Sequence, residues 1–127
     1  MKLMDIPKYV TAEFLRANPN VIFVFGDNLV RRGKGGAAIL RDEPNTYGFV
    51  TKKYPNNQNS SFFRPLEYLE LFQAELLLLS IEIEKNPDKT YLVSRLGGGL
   101  ANRYGIYEEI IEPGLKKLEL FDNVIIM

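Results

Sequence analysis

Four short runs of apolar, β-branched and aromatic residues recur along the chain, at Val21–Phe25, Tyr47–Thr51, Thr90–Ser94 and Asn123–Met127. Runs of this length without polar alternation suit strands covered on both faces. The stretches between them are long enough for helices. The resulting order, β-loop-α-β-α-β-loop-α-β, predicts an α/β protein with right-handed crossovers. We expect a single three-layer α/β/α domain over residues 1–127, built on a mainly parallel, mixed sheet. A chain of 127 residues can bury one core without disulfide or metal staples.

Helix signals fill the gaps. Thr11 is placed to cap a short helix that ends near Asn18-Pro19-Asn20. The longest helix should run from about Arg64 to Glu84, with Ser60 or Ser61 as its cap and Pro65 in its first turn. Leu66, Leu69, Phe72, Leu76, Leu79 and Ile83 recur at helical spacing and should face the sheet. Leu77 falls within the polar stripe of Glu67, Glu70, Gln73, Ser80 and Glu84, while Leu71, Leu78 and Ile81 widen the apolar arc. Such a helix is either buried between the sheet and a neighbour or offers a self-association surface.

Composition removes several chemistries. The chain has no cysteine, hence no disulfide, thiolate metal site or thiol nucleophile. It has no histidine either, which excludes a Ser-His-Asp triad, a histidine base and the usual transition-metal ligands. We expect neither a metal nor a cofactor. Sixteen basic residues balance sixteen acidic ones, so no net field draws the chain to nucleic acid or a membrane. The start, Met-Lys-Leu-Met-Asp-Ile-Pro, lacks a signal-peptide core. The most apolar stretch, Leu76 to Ile83, is far shorter than the ~18 residues of a membrane span. The expected location is cytoplasmic.

Two of the strand runs lead into glycine-rich loops. Val21–Phe25 runs into Gly26-Asp-Asn-Leu-Val-Arg-Arg-Gly-Lys-Gly-Gly36, then the short helical pattern Ala37–Arg41. Tyr91–Ser94 runs into Arg95-Leu-Gly-Gly-Gly-Leu-Ala-Asn-Arg-Tyr-Gly105, then Ile106–Ile111. Glycines where a strand hands over to a helix let backbone N–H groups face a ligand, and an anion such as phosphate is the natural guest. Both loops should converge on one crevice at the carboxyl ends of the strands. Lys34, set between glycines, is placed to touch a phosphate, and Arg103 and Tyr104 to clamp a phosphate and stack on a base or ribose. Arg31, Arg32 and Arg41 read as surface charges, and Lys52-Lys53-Tyr54 as an exposed strand end or a basic contact. Asp27 is either a cap or a ligand contact and general base, and Glu43 is the other carboxylate near the first loop.

The run Asn28-Leu-Val-Arg-Arg-Gly-Lys-Gly-Gly-Ala-Ala-Ile resembles the first ligand loop of macro domains, in which a buried strand passes through an asparagine and a glycine cluster into a helix. Ser94-Arg-Leu-Gly-Gly-Gly-Leu-Ala-Asn-Arg-Tyr-Gly sits where macro domains place their diphosphate loop. The segment Tyr47–Lys53 and the helix after it are similar to the middle of the macro domains that remove terminal ADP-ribose from proteins. The string Phe-Gly-Asp-Asn, Gly-Gly, Glu-Pro-Asn, Thr-Lys is also similar to small uncharacterised bacterial and phage proteins.

The resemblance, which covers Val21 to the C-terminus, implies binding of ADP-ribose or a related nucleotide diphosphate derivative. Asn28 then corresponds to the asparagine at the distal ribose, and Gly33, Gly35 and Gly36 to its glycine cluster. Gly97, Gly98 and Gly99 correspond to the diphosphate loop, with Gly26 and Ser94 at the strand ends beside them. In an alternative register Gly26-Asp27 is the adenine contact. If the protein hydrolyses its ligand, Asp27 is the favoured base and Asn28 orients the water or ribose. The aspartate that follows the second glycine loop in the hydrolases is absent, with Ala101-Asn102 in that region. The competing expectation is a non-catalytic interaction or structural protein of bacterial or phage origin, a homodimer joined through the long apolar helix. Single-stranded nucleic acid is disfavoured by the neutral charge and the lack of an aromatic platform.

Overall fold

The computed structural model describes residues 6–127, so the first five residues of the N-terminal stretch read above lie outside it. Helix α1 spans Ala12–Ala17, and Thr11 caps it by accepting the Phe14 N–H at 3.1 Å. Strand β1 is Val21–Asn28, β2 is Thr46–Lys52, β3 is Thr90–Val93 and β4 is Val124–Ile126. Among the described residues they form one sheet in the order β2-β1-β3-β4 with every strand-to-strand pairing parallel rather than mixed; a single antiparallel bridge, Lys52 to Phe62, lies outside these pairings. β4 is partly rather than fully buried, because it closes an edge of the sheet.

β1 is longer than its apolar run suggests. Gly26, Asp27 and Asn28 read as loop residues from their composition, yet they continue the strand opposite Phe49, Val50 and Lys52 of β2. Alternation then sorts the side chains. Val21, Phe23 and Phe25 pack with Leu15 of α1 and with Ala38 and Leu40 of a 3₁₀ turn over Gly36–Leu40. Val24 points the other way, with Tyr91 and Val93, onto the long helix α2, Pro65–Lys85, and the C-terminal helical stretch. Helical elements therefore cover both faces of the sheet. No helix of the described residues is long and apolar enough to cross a membrane.

α2 starts as Pro65 suggests, but neither Ser60 nor Ser61 caps it. These residues lie in a separate 3₁₀ turn, and the Arg64 N–H donates to Glu67 Oε1 at 2.9 Å. The helix is also rotated from the expected face. Phe72, Leu79 and Ile83 are buried as expected, Leu71 and Leu76 pack partly against them, but Leu66 is 92 % exposed and Leu69 is exposed too. Tyr68 and Glu75 take the inner positions instead. The reason is the free edge of β2: Glu75 Oε1 accepts the Val50 N–H at 2.7 Å, and Tyr68 donates its hydroxyl to the Val50 carbonyl. α2 thus satisfies an edge strand's backbone with side chains, which hydrophobic periodicity alone does not foretell.

The C-terminal helical stretch changes pitch along its length. A π-turn over Tyr107–Ile111 leads into α3, Glu112–Leu115, and a 3₁₀ turn over Lys116–Leu120. Pro113 lacks an N–H and its ring crowds the carbonyl four residues back, so a wider turn before it relieves the clash. Ile111, Leu115 and Leu118 still reach the core.

Candidate functional site

The strand order places a switch point between β1 and β3. From β1 the chain crosses to β2 on one side, and from β3 to β4 on the other. The connections leaving the carboxyl ends of β1 and β3 diverge, which opens a crevice in parallel α/β sheets. A cavity of about 450 Å³ lies there, a volume suited to a small organic ligand.

Both glycine loops line this cavity. From the first side come Gly26, Asp27, Asn28, Gly33, Lys34, Gly35 and Gly36, and from the second Ser94, Gly97 and Gly99. Gly98 is not on the wall; a Cβ there would meet Arg95 Cγ at 2.8 Å. Arg103 and Tyr104 also stand outside it. The Arg103 guanidinium donates to the Asn57 carbonyl and Asn59 Oδ1 and lies over the Phe62 ring, while Tyr104 is covered by Arg64 at 4.1 Å. Two glycines are required by conformation. Gly33 has φ +91° with Pro55 Cβ 2.8 Å from where its own Cβ would sit, and Gly97 has φ +72° against Ile111 Cδ1.

Beneath the first loop lies an ionic knot that sequence spacing did not reveal. Asp27 is buried, accepts from Arg41 at 2.7 Å and from the Asn28 N–H at 2.8 Å, and faces Arg31 at 3.3 Å. Burial pushes the Asp27 carboxyl up, but Arg41, the Asn28 N–H and Arg31 outweigh it and hold it below the ordinary aspartate value. Arg41, read as a surface charge, is instead a half-buried strut. Besides Asp27 it donates to the carbonyls of Gly33 at 3.0 Å and Arg32 at 3.1 Å. In a trans peptide the N–H points opposite to the carbonyl, so the N–H groups of Gly33 and Lys34 turn away from Arg41. The N–H groups of Gly33, Lys34 and Gly35 donate to no acceptor among the described residues.

Arg31 holds φ +56°, a strained value for a residue with a side chain, anchored by Asp27, the Gly48 carbonyl at 3.0 Å and Glu75 at 3.8 Å. Asn28 spends its amide on its own loop, donating to the Arg32 carbonyl at 2.6 Å and accepting the Val30 N–H at 3.1 Å. Glu43 forms an ion pair with Arg16 at 2.7 Å and is not on the cavity wall.

The wall carries four cationic side chains, Arg32, Lys34, Lys52 and Arg95, and its one carboxylate, Asp27, is already paired. Lys34 bridges to Asp42 in an exposed pair, which is weak enough to exchange for a ligand. Lys52 sits over the Phe62 ring, and burial followed by the Arg103 charge holds its ammonium below the usual lysine range. Arg95 stacks on Tyr107 at 4.6 Å. A chain of zero net charge thus concentrates positive charge in the crevice at the β1/β3 switch point. Of these residues, Lys52 was read as either an exposed strand end or a basic contact and Arg32 as a surface charge, while Arg95 carried no distinctive signal in the sequence.

Residues 6–93 match DUF7831, a family of unknown function. That span includes β1, the first glycine loop and β3, and ends just before the second loop. No curated protein and no solved structure matches the chain.

Proposed function

We propose, for a chain that belongs to the DUF7831 family, that the crevice binds the phosphate groups of ADP-ribose or a related nucleotide diphosphate derivative. One observation carries this reading: two glycine loops and four cationic side chains surround one cavity at the β1/β3 switch point, with unclaimed N–H groups in the first loop. The resemblance of both loops to those of macro domains, and the helical layers on both faces of the sheet, support the choice of ADP-ribose within the class of phosphate ligands.

Binding is favoured over hydrolysis. A carboxylate clamped by two guanidinium groups has a depressed proton affinity and is a poor general base. Asn28 is committed to loop closure rather than to orienting water. Asp27 and Asn28 therefore serve the reading as supports of the binding loop.

The outer face of α2 favours a second reading, a self-associating interaction protein. Leu66, Leu69, Leu77, Leu78 and Ile81 are exposed along it, and this face is separate from the cleft.

The two readings differ in what stabilises the fold. ADP-ribose at a hundred times its dissociation constant should add about 2.7 kcal/mol to the unfolding free energy, whereas a short single-stranded oligonucleotide should add nothing. A thermal melt with each additive checks this. No shift with ADP-ribose at millimolar concentration would remove the nucleotide reading and leave the interaction surface.

A further inference from the structure

A second cavity, of about 490 Å³, adjoins the cleft and shares Gly36, Ala37, Ser94 and Arg95 with its wall. Its character is different. The remaining wall is largely apolar and aromatic, with Tyr9, Phe23, Ile39 and Met127 among its residues. Tyr9 is 73 % exposed and Ile39 is 63 % exposed, although both are large apolar side chains that would gain by being covered. Lys8 lies over the Tyr9 ring at 5.5 Å, and Arg95 stands on the boundary between the two cavities.

We propose that this apolar cavity takes the flat nucleobase end of the same ligand whose phosphates sit between the glycine loops. The inference rests on the phosphate-binding reading above and adds the ligand's direction: phosphates toward Gly33–Gly36 and Gly97, base toward Tyr9 and Ile39. The continuity of the walls carries it. Gly36, Ala37, Ser94 and Arg95 belong to both walls, so a molecule anchored by its phosphates in the cationic cleft has this cavity as its direct neighbour, and the surface beyond the shared rim is largely apolar. An aromatic ring offers a nucleobase a stacking partner without requiring a particular hydrogen-bond pattern.

Titration calorimetry with two probes, ADP-ribose and inorganic pyrophosphate, tests this on the whole chain and on Tyr9→Ala and Ile39→Glu. Both positions are exposed, so neither substitution should disturb the core, and unchanged melting of the unliganded variants verifies that. Each variant should weaken ADP-ribose binding by about tenfold or more, the worth of one stacked base, and leave pyrophosphate affinity unchanged. If the wild-type chain binds pyrophosphate and both variants bind ADP-ribose as tightly as it does, the base lies elsewhere and the proposal fails while the phosphate site stands. If the variants lose both probes equally, the cavity holds no separate base site and the proposal again fails. If the wild-type chain binds neither probe, the phosphate reading falls and this inference falls with it.

Discussion

Asp27→Ala should lower the stability of the protein by about 3 kcal/mol, read as a shift of the urea midpoint, because it leaves a half-buried guanidinium without its counterion. The Asp27 carboxylate is shut away from water and joins Arg41, Arg31 and the Asn28 N–H. Arg31 is half exposed and can turn to solvent, which keeps the loss from being larger. Arg41 cannot escape as easily, since it is also bound to the carbonyls of Arg32 and Gly33. The pH dependence follows from the direction of the Asp27 shift. Its carboxyl is held below the ordinary value in the folded chain, so its contribution is complete above the unfolded pKa of about 3.9 and is lost as pH falls through the lower folded value. Wild type and Asp27→Ala should therefore differ fully at neutral pH and converge in strong acid. A gap that stays constant down to acid would assign the loss to packing rather than to charge.

Gly35→Glu should abolish measurable ADP-ribose binding, by a hundredfold or more, with melting of the unliganded chain unchanged. Gly35 has φ −77° and ψ 142°, ordinary extended backbone, and a Cβ there meets nothing within 4 Å, so the side chain enters without strain. It places a carboxylate on the cleft wall beside Lys34. Two like charges about 4 Å apart repel by roughly 4 kcal/mol at a partly screened surface, more than the ~2.7 kcal/mol that a hundredfold in affinity requires. Gly35→Gln supplies the control, with the same size and no charge, and should keep most of the affinity. Equal losses in the two variants would point to bulk and not to an anion. Gly98, the centre of the second glycine run, is a poorer place for this test because its substituent would first collide with Arg95.

The contrast between those two positions shows how far the sequence could be read. The strands were legible because each is a short unbroken apolar run, and so were the cap at Thr11 and the helix start at Pro65, which act within a few residues of themselves, whereas the expected serine cap of α2 was not. The glycine loops were legible because chain reversal at a strand end leaves few alternatives to glycine, as the φ values of Gly33 and Gly97 show. Where the reading failed, the deciding partner was distant in sequence. Glu75 and Tyr68 turn inward because the edge of β2, about two dozen residues earlier for Glu75, needs hydrogen-bond partners, and that rotates Leu66 and Leu69 outward. Gly26–Asn28 are polar enough to be a loop, but β2 is long enough to pair with them. Arg41 looked like a solvated charge because nothing near it in sequence announces Asp27, fourteen residues away. Arg103 and Tyr104 follow the second glycine run closely but are turned from it onto the Asn57–Phe62 loop and Arg64.

The central claim is that the two glycine loops hold one ligand between them, and a nuclear magnetic resonance titration with ADP-ribose tests it most directly. Glycine amides resonate in a distinct region, and the cleft presents Gly33, Gly35 and Gly36 on one side and Gly97 and Gly99 on the other. The account predicts that both groups shift together along one saturating curve, while Gly114, packed under Phe72 in the core, stays in place. Shifts confined to one loop, shifts on the outer face of α2 alone, or no shifts at millimolar ligand would contradict it.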